Sequence, residues 1–385
     1  MKNLLYLGEY SYAMFQYCGF WRPINWKSYW KIFLYSVYST ISIVMFILIN
    51  ISFFITIFQF HDSLETQIQS IFYSCVFLTA LIKLSLLFRT RQTFIESNQM
   101  FLSEICQPCD DEEIAIIREC SRIGRRNTII YFFFMQISAC IVFLPPLASK
   151  NVTLPLPSWL PYTVDSHFLF IITYLHQSYG CIIIATISIA MESLALTISL
   201  QICGQFDIII HRLNLLSELW EKNNIKSNSY DQEIKLTKRC AKHHFYVYCL
   251  GDNLNKQFGL IIFTQFFASM INLCSIIYNL SKLSPTDSIY WLMVSCVGSY
   301  TLQIFIYCFY GDKVTEKSAE VGQAIYFLNW YGLTIKTKKN LITIMIRSTR
   351  PIELTGASLI TMSIDTFMKI IKSAYSAYNL LKRQY

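Results

Sequence analysis

The stretch Lys31–Phe58 reads KIFLYSVYSTISIVMFILINISFFITIF, with no charged residue after its first position. A bilayer core about 30 Å thick needs about 20 apolar residues in a helix, so this stretch is long enough to cross. Six more of the kind follow: Ile68–Phe88, Thr128–Leu147, Phe168–Cys203, Phe258–Leu280, Ile289–Tyr310 and Leu359–Leu381. The fourth is longer than one crossing needs, and the seventh is the least hydrophobic. Stretches this long and numerous predict an all-α fold, a seven-transmembrane helical bundle occupying residues 1–385 as one membrane domain.

The composition agrees. The chain is 54% hydrophobic, 16% aromatic and 15% charged, where average soluble domains are about 45–50% apolar and about 25% charged. That balance excludes disorder, collagen and coiled coil, and argues against a soluble enzyme. Phosphate loops, nucleophile elbows and zinc-peptidase motifs are absent from the sequence, so no catalytic residue and no cofactor is expected. Met1–Phe20 does not read as a secretory signal, because Glu9 interrupts it and no small-residue cleavage site follows. The 13 cysteines are scattered, most of them inside apolar stretches. Cys106-x-x-Cys109 has no second ligand pair to complete a metal site, and the adjacent His243-His244 point to different helix faces, so no metal is expected.

The net charge of +8 is explained by where the bases fall. Lys2, Arg22, Lys27 and Lys31 precede or open the first span. Arg89, Arg91, Arg118, Arg122, Arg125 and Arg126 lie between the second and third. Eight more lie between the fourth and fifth, and seven between the sixth and seventh, whereas the alternate side holds only Lys150, Lys282, Lys382 and Arg383. Lys and Arg mark the cytoplasmic side. The reading is therefore an N-terminus inside, a C-terminus outside, and helix extensions into the cytoplasm around 204–257 and 311–350; a nucleic-acid role drops out. The sequons at Asn151 and Asn279 fall on the outer side and are expected to be glycosylated, whereas that at Asn50 lies within a span. A G-protein-coupled chemoreceptor, the first alternative, has the opposite orientation. No Asp-Arg-Tyr ends the third span and no Asn-Pro-x-x-Tyr occurs in the seventh. A transporter, the second, would show inverted repeats, and none is visible.

The C-terminal third carries a characteristic string: Tyr307-Cys308-Phe309-Tyr310-Gly311-Asp312-Lys313, Ser318, Ala324-Ile325-Tyr326, Trp330-Tyr331, Arg350-Pro351, Ser363, Phe367, Ala374-Tyr375-Ser376 and Leu380. With Leu154–Tyr162 and Cys203-Gly204-Gln205-Phe206 through His211-Arg212-Leu213 and His243-His244, it resembles the insect odorant receptor family. The related gustatory receptors carry a Thr-Tyr…Gln-Phe signature that Ala374-Tyr375 does not continue. The chain lacks the long second-cytoplasmic-loop insertion of the family's co-receptor, so it looks like a ligand-specific tuning subunit. The resemblance implies a heterotetrameric, odorant-gated, non-selective cation channel in the plasma membrane of olfactory sensory neurons. It also implies a pore lined by each last helix, a cytoplasmic anchor region holding most subunit contacts, and a co-receptor as partner.

The residues add detail. In the last span Asp365, Lys369, Lys372, Ser376, Asn379 and Arg383 repeat on one narrow helix face, which suits a pore or a subunit contact. By resemblance, Leu380 falls where the family's hydrophobic gate sits, closing by dewetting. The outer halves of the second, third, fourth and sixth spans carry Tyr73, Phe77, Met135, Ser138, Ala139, Tyr174, Gln177, Tyr179, Met293, Val297 and Tyr300. That apolar set with few polar groups suits a volatile, hydrophobic ligand or simple bundle packing. Gln177 and His176 want partners inside the bundle. Glu192, the lone acid in Cys181–Leu200, is expected to hydrogen-bond near the anchor. Asp110–Glu113 ahead of Arg118–Arg126 reads as a helix start with a complementary dipole, nothing catalytic.

Overall fold

The computed structural model describes residues 5–384 apart from 24–25, 59–63, 142, 144–153, 223–227, 285 and 287. It is a bundle of ten α-helices among the described residues: α1 Glu9–Tyr17, α2 Tyr29–Phe58, α3 Leu64–Arg89, α4 Arg91–Phe101, α5 Asp111–Ile141, α6 His167–Lys222, α7 Asn228–Leu280, α8 Ser288–Tyr326, α9 Ile335–Ser348 and α10 Ile364–Gln384. One small hairpin, β1 Thr355–Gly356 and β2 Ile360–Thr361, precedes α10. Among the described residues five helices, α2, α3, α6, α7 and α8, are long and apolar enough to cross a membrane. α5 opens with Asp111, Glu112 and Glu113. Early in α10, Asp365, Lys369 and Lys372 are exposed.

At about 1.5 Å per residue, the 56 residues of α6 and the 53 of α7 each extend about 80 Å. That is far more than a bilayer core, so both continue well beyond it. One stretch of α6 is buried nearly all round. From Ile187 to Phe206 almost every residue of α6 is buried, facing α5, α7 and α8. A helix buried all round must be apolar or hydrogen-bonded all round, and α6 uses both devices, with Thr197 and Ser199 bonding back to the carbonyls of Ser193 and Ala195.

The N-terminal segment is an integral part of this packing. Tyr6 is buried, its amide donates to Ser121 Oγ on α5 (3.0 Å), and Gln201 Nε2 on α6 donates to its carbonyl (3.0 Å). Gly8 then turns the chain into α1 with φ of 93°, a conformation that suits glycine.

The sequence predicts the last helix from Leu359, whereas α10 starts at Ile364. Residues 355–361 form the hairpin instead. Ala357 and Ser358 are both left-handed, with φ of 50° and 59°. Leu359 N–H closes the turn on Gly356 O at 2.9 Å, and positive φ at both central residues is what a tight hairpin turn requires. Ala357 N–H also donates to Gly259 O of α7 (2.9 Å). Gly259 and Gly356 permit this approach, since a Cβ on either would press on the backbone of the other segment. Ser363 then caps α10 by accepting from Thr366 N–H at 3.2 Å, a hydroxyl cap that satisfies an orphan donor of the first turn.

Candidate functional site: a cavity with a polar floor

α3, α5, α6, α7 and α8 line a cavity of about 150 Å³. Tyr73 and Phe77 come from α3, Met135, Ser138 and Ala139 from α5, Cys181, Ile184 and Ser188 from α6, Gln265 from α7, and Met293, Cys296, Ser299, Tyr300 and Gln303 from α8. The wall is mostly apolar. Phe77 stacks on Phe53 at 4.2 Å, and Tyr300 meets Phe72 edge-on at 6.1 Å. Stacked and edge-on contacts of this kind fix aromatic walls in place. On one side Ser138 Oγ accepts from Ser295 (3.0 Å) and Ser299 (3.1 Å), drawing α5 to α8.

The structure thus brings Tyr73, Phe77, Met135, Ser138, Ala139, Met293 and Tyr300 together on one cavity. It places the other four candidates elsewhere. Tyr174 donates to Phe143 O (2.9 Å). Tyr179 lines a second hollow of about 870 Å³ between α1, α2, α5 and α6. Val297 packs into the core from its partly buried position on α8. Gln177 is buried and holds the segment before α6. It accepts from Leu156 N–H (3.2 Å) and donates to Leu156 O (3.1 Å) and Ser158 Oγ (3.0 Å), and the Leu156 side chain reaches the cavity. His176 bonds to Met45 O (3.1 Å), a contact between α6 and α2.

The floor of the cavity is polar. One turn beyond the lining residues on α3, α5 and α6 stand Lys83, Tyr131 and Glu192, and all three are buried. Lys83 Nζ lies 2.9 Å from Glu192 Oε1 and donates to Ser188 Oγ (3.2 Å). The Tyr131 hydroxyl donates to Glu192 Oε2, and Gln303 Nε2 to Glu192 Oε1. Gln303 Oε1 accepts in turn from Gln265 Nε2 at 2.7 Å. Five helices are therefore tied by one network whose outer members line the cavity. Glu192 serves this floor, which was not apparent from its sequence position.

A second network joins the far ends of α5, α6 and α7. Asp110 accepts from Glu113 N–H (2.7 Å) and Glu113 accepts from Cys109 N–H (2.8 Å). The two bonds form a reciprocal cap that starts α5. The Arg212 guanidinium grips both Glu113 oxygens (2.6 and 2.7 Å), a bidentate geometry that strengthens the pair. His243 stands against Arg212 Nη1 (3.1 Å) and Gln205 Oε1 (2.8 Å), and burial, then the neighbouring Arg212, pushes its pKa down to about 3. His244 faces Ser348 of α9 and is pushed down to about 4 by burial and Arg347. Asp110, Glu113 and His211 bring ligand atoms within 4.8 Å of one another. Because Arg212 occupies both Glu113 oxygens, the group is built as an ion-pair junction.

On α10, Thr366, Ile370 and Ala374 are buried, facing α7 and α8, while Asp365, Lys369, Lys372 and Ser376 are exposed and Asn379 is half-buried. The side chains of Leu380 and Arg383 lie outside the described residues, as does Asn151. Asn279 is half-buried near the end of α7.

A family profile described as 7tm odorant receptor matches residues 63–375. The chain belongs to the odorant receptor family. This family member is 25% identical over 244 residues to odorant receptor 9a of Drosophila melanogaster, covering 63% of this chain and 59% of that one. It is 22% identical over 230 residues to odorant receptor 67c of the same species, covering 59% and 54%. The match thus spans less than two thirds of the length of these relatives. In three dimensions this odorant-receptor-family chain resembles the insect olfactory receptor OR5 from Machilis hrabei in complex with eugenol, with a TM-score of 0.83 at 13% identity over 98% of this chain and 97% of that one. A second structure of the same receptor aligns with a TM-score of 0.82 at 13% identity, over 97% of this chain and 96% of that one. The likeness establishes a membrane bundle of the insect olfactory receptor fold.

Proposed function

We propose that this chain is an odorant receptor that works as a ligand-gated, non-selective cation channel subunit. A volatile, largely apolar molecule occupies the cavity between α3, α5, α6, α7 and α8, and its binding opens a pore lined by α10. The observation that carries the reading is the gathering of Tyr73, Phe77, Met135, Met293 and Tyr300 around one cavity inside a membrane bundle. Sites for small molecules are concave and mostly apolar with a few placed polar groups, and this one has that character. The Machilis hrabei receptor of the same fold is complexed with eugenol, also a small molecule.

The exposed face of α10 supports the second half. Asp365, Lys369, Lys372 and Ser376 stay uncovered within one subunit. A polar stripe on a membrane helix requires water or a partner, and a central pore in a heterotetramer with a co-receptor supplies both. Lys369 and Lys372 are cations, and co-receptor subunits dilute their charge around the ring. Leu380 is assigned to the gate. The N-terminus lies in the cytoplasm, and the residues around 204–257 and 311–350 form the anchor region between subunits. The seven spans, glycosylation at Asn151 and Asn279, and residence in the plasma membrane of olfactory neurons belong to the same reading.

Met293→Trp tests the ligand half, since an indole fills a cavity of this size. Ligand-evoked current is expected to vanish at unchanged surface delivery; an unaltered dose–response for every agonist would contradict the assignment.

A further inference from the structure

The floor of the cavity has a fixed hydrogen-bond polarity, and it ends on one unmet acceptor. Glu192 offers only acceptors, so the Gln303 carboxamide must turn its NH2 toward the carboxylate, as it does. Its carbonyl then faces Gln265, which must also present its NH2, at 2.7 Å. Gln265 Nε2 gives its second N–H to Ser269 Oγ at 2.8 Å. Flipping either carboxamide would set oxygen against oxygen, so the carboxylate orients the whole relay. What remains is Gln265 Oε1, which accepts no hydrogen bond among the described residues. Gln265 is 3% exposed and lines the cavity.

A carbonyl polarised through such a chain, on a side chain held away from bulk water, is a strong acceptor, and leaving it unpaired costs free energy. We propose that Gln265 Oε1 is the specificity-determining atom of the cavity, selecting ligands that donate a hydrogen bond, primary alcohols and phenols above all. The inference rests on the reading of this cavity as the ligand site. Hydrocarbons, ethers, aldehydes and ketones carry no donor and leave the oxygen unpaired. The remaining wall takes the apolar body. A cavity of about 150 Å³ is the size that accommodates benzene in another protein, so the body is one ring or about six to eight carbons.

The test is equilibrium binding of hexyl, benzyl and phenethyl alcohols, each beside its aldehyde and its methyl ether. Binding is read by headspace depletion over the full chain assembled with the co-receptor in lipid nanodiscs, with co-receptor homomers as background. At least one alcohol is expected to bind about tenfold more tightly than its two partners, the worth of one hydrogen bond in a dry site. Gln265→Met is expected to bring the three affinities together. Equal affinities across every set on the unaltered chain, which needs no variant to fold, would overturn the inference while leaving the cavity as the ligand site. So would an alcohol preference that survives in Gln265→Met. Binding of none of the compounds above background would overturn the cavity reading and the inference with it.

Discussion

Lys83 Nζ and Glu192 Oε1 stand 2.9 Å apart with each side chain 2% exposed, joining α3 to α6 inside the bundle. The two residues are 109 positions apart in sequence. Attraction between charges is strong where the dielectric is low, but so is the cost of taking them from water. The pair is tolerable because Glu192 also accepts from Tyr131 and Gln303 while Lys83 also donates to Ser188. Lys83→Met leaves an uncompensated buried carboxylate, and the expected loss of stability is about 3–5 kcal/mol. The double variant Lys83→Met/Glu192→Gln keeps an acceptor for Gln303, turns its NH2 toward the Tyr131 hydroxyl, which can accept, and is expected to recover most of that loss. Thermal midpoints in detergent and the surface-labelled fraction measure both.

His243 ties stability to pH. Its pKa in the folded chain is about 3, below the ordinary 6.5. Above pH 6.5 the imidazole is neutral in both folded and unfolded chains and adds no pH dependence. As the pH falls from 6.5 toward 3 the unfolded chain takes up a proton that the folded chain refuses. Stability is therefore lost on acidification, by at most about 1.4 kcal/mol per pH unit from this group. His244, with a pKa pushed down to about 4, acts in the same direction. Melting at pH 7.5 and 5.0 is expected to show a fall for the unaltered chain that is smaller in His243→Gln. Equal falls in the two would remove His243 as a cause.

Gly311 sits where α8 meets the segment leading into α10. A Cβ there would lie 2.3 Å from Met362 Cβ and 2.5 Å from Met362 O. Backbone cannot yield as a side-chain tip does, so Gly311→Ala forces α8 and the start of α10 apart. Overpacking of this kind typically costs about 1–3 kcal/mol. The expected result is a lowered thermal midpoint together with an altered open probability, measured in single-channel records beside Gly298→Ala, which meets nothing within 4 Å.

Gln177 acts on the cavity through Leu156. Gln177→Leu removes three hydrogen bonds that hold the segment at Leu156 and Ser158. Agonist potency is expected to fall about tenfold or more, on the scale of about 1 kcal/mol per bond. Dose–response curves at matched surface levels check this. An identical curve for every agonist would show that the segment does not shape the site.

The apolar stretches made the long helices legible, because an uninterrupted run such as Lys31–Phe58 has few alternatives. The cavity wall was partly legible for the same reason: Tyr73, Phe77, Met293 and Tyr300 lie in the outer halves of spans that the sequence marks. Nothing local marks Lys83 as a partner of Glu192, or Glu113 as a partner of Arg212, since the partners stand 109 and 99 positions apart. Gln265 and Gln303 are single polar residues within apolar spans, and only the closure of the bundle makes them a relay. The seat of Tyr6 between α5 and α6 is likewise a tertiary fact. The hairpin at 355–361 was hidden because Leu359–Thr361 continues smoothly into an apolar helical pattern. Its turn uses Ala357 and Ser358 in a conformation more usual for glycine.

The most direct test of the account is a current recording from excised membrane patches carrying this chain with the family's co-receptor, with volatiles applied in the absence of GTP. A surface-labelled receptor with a known agonist runs alongside. Ligand-evoked cation current is expected to persist without GTP and to disappear in Met293→Trp. A response in intact cells that is lost on excision and restored by GTP would contradict it, because the chain would then signal through something other than its own pore.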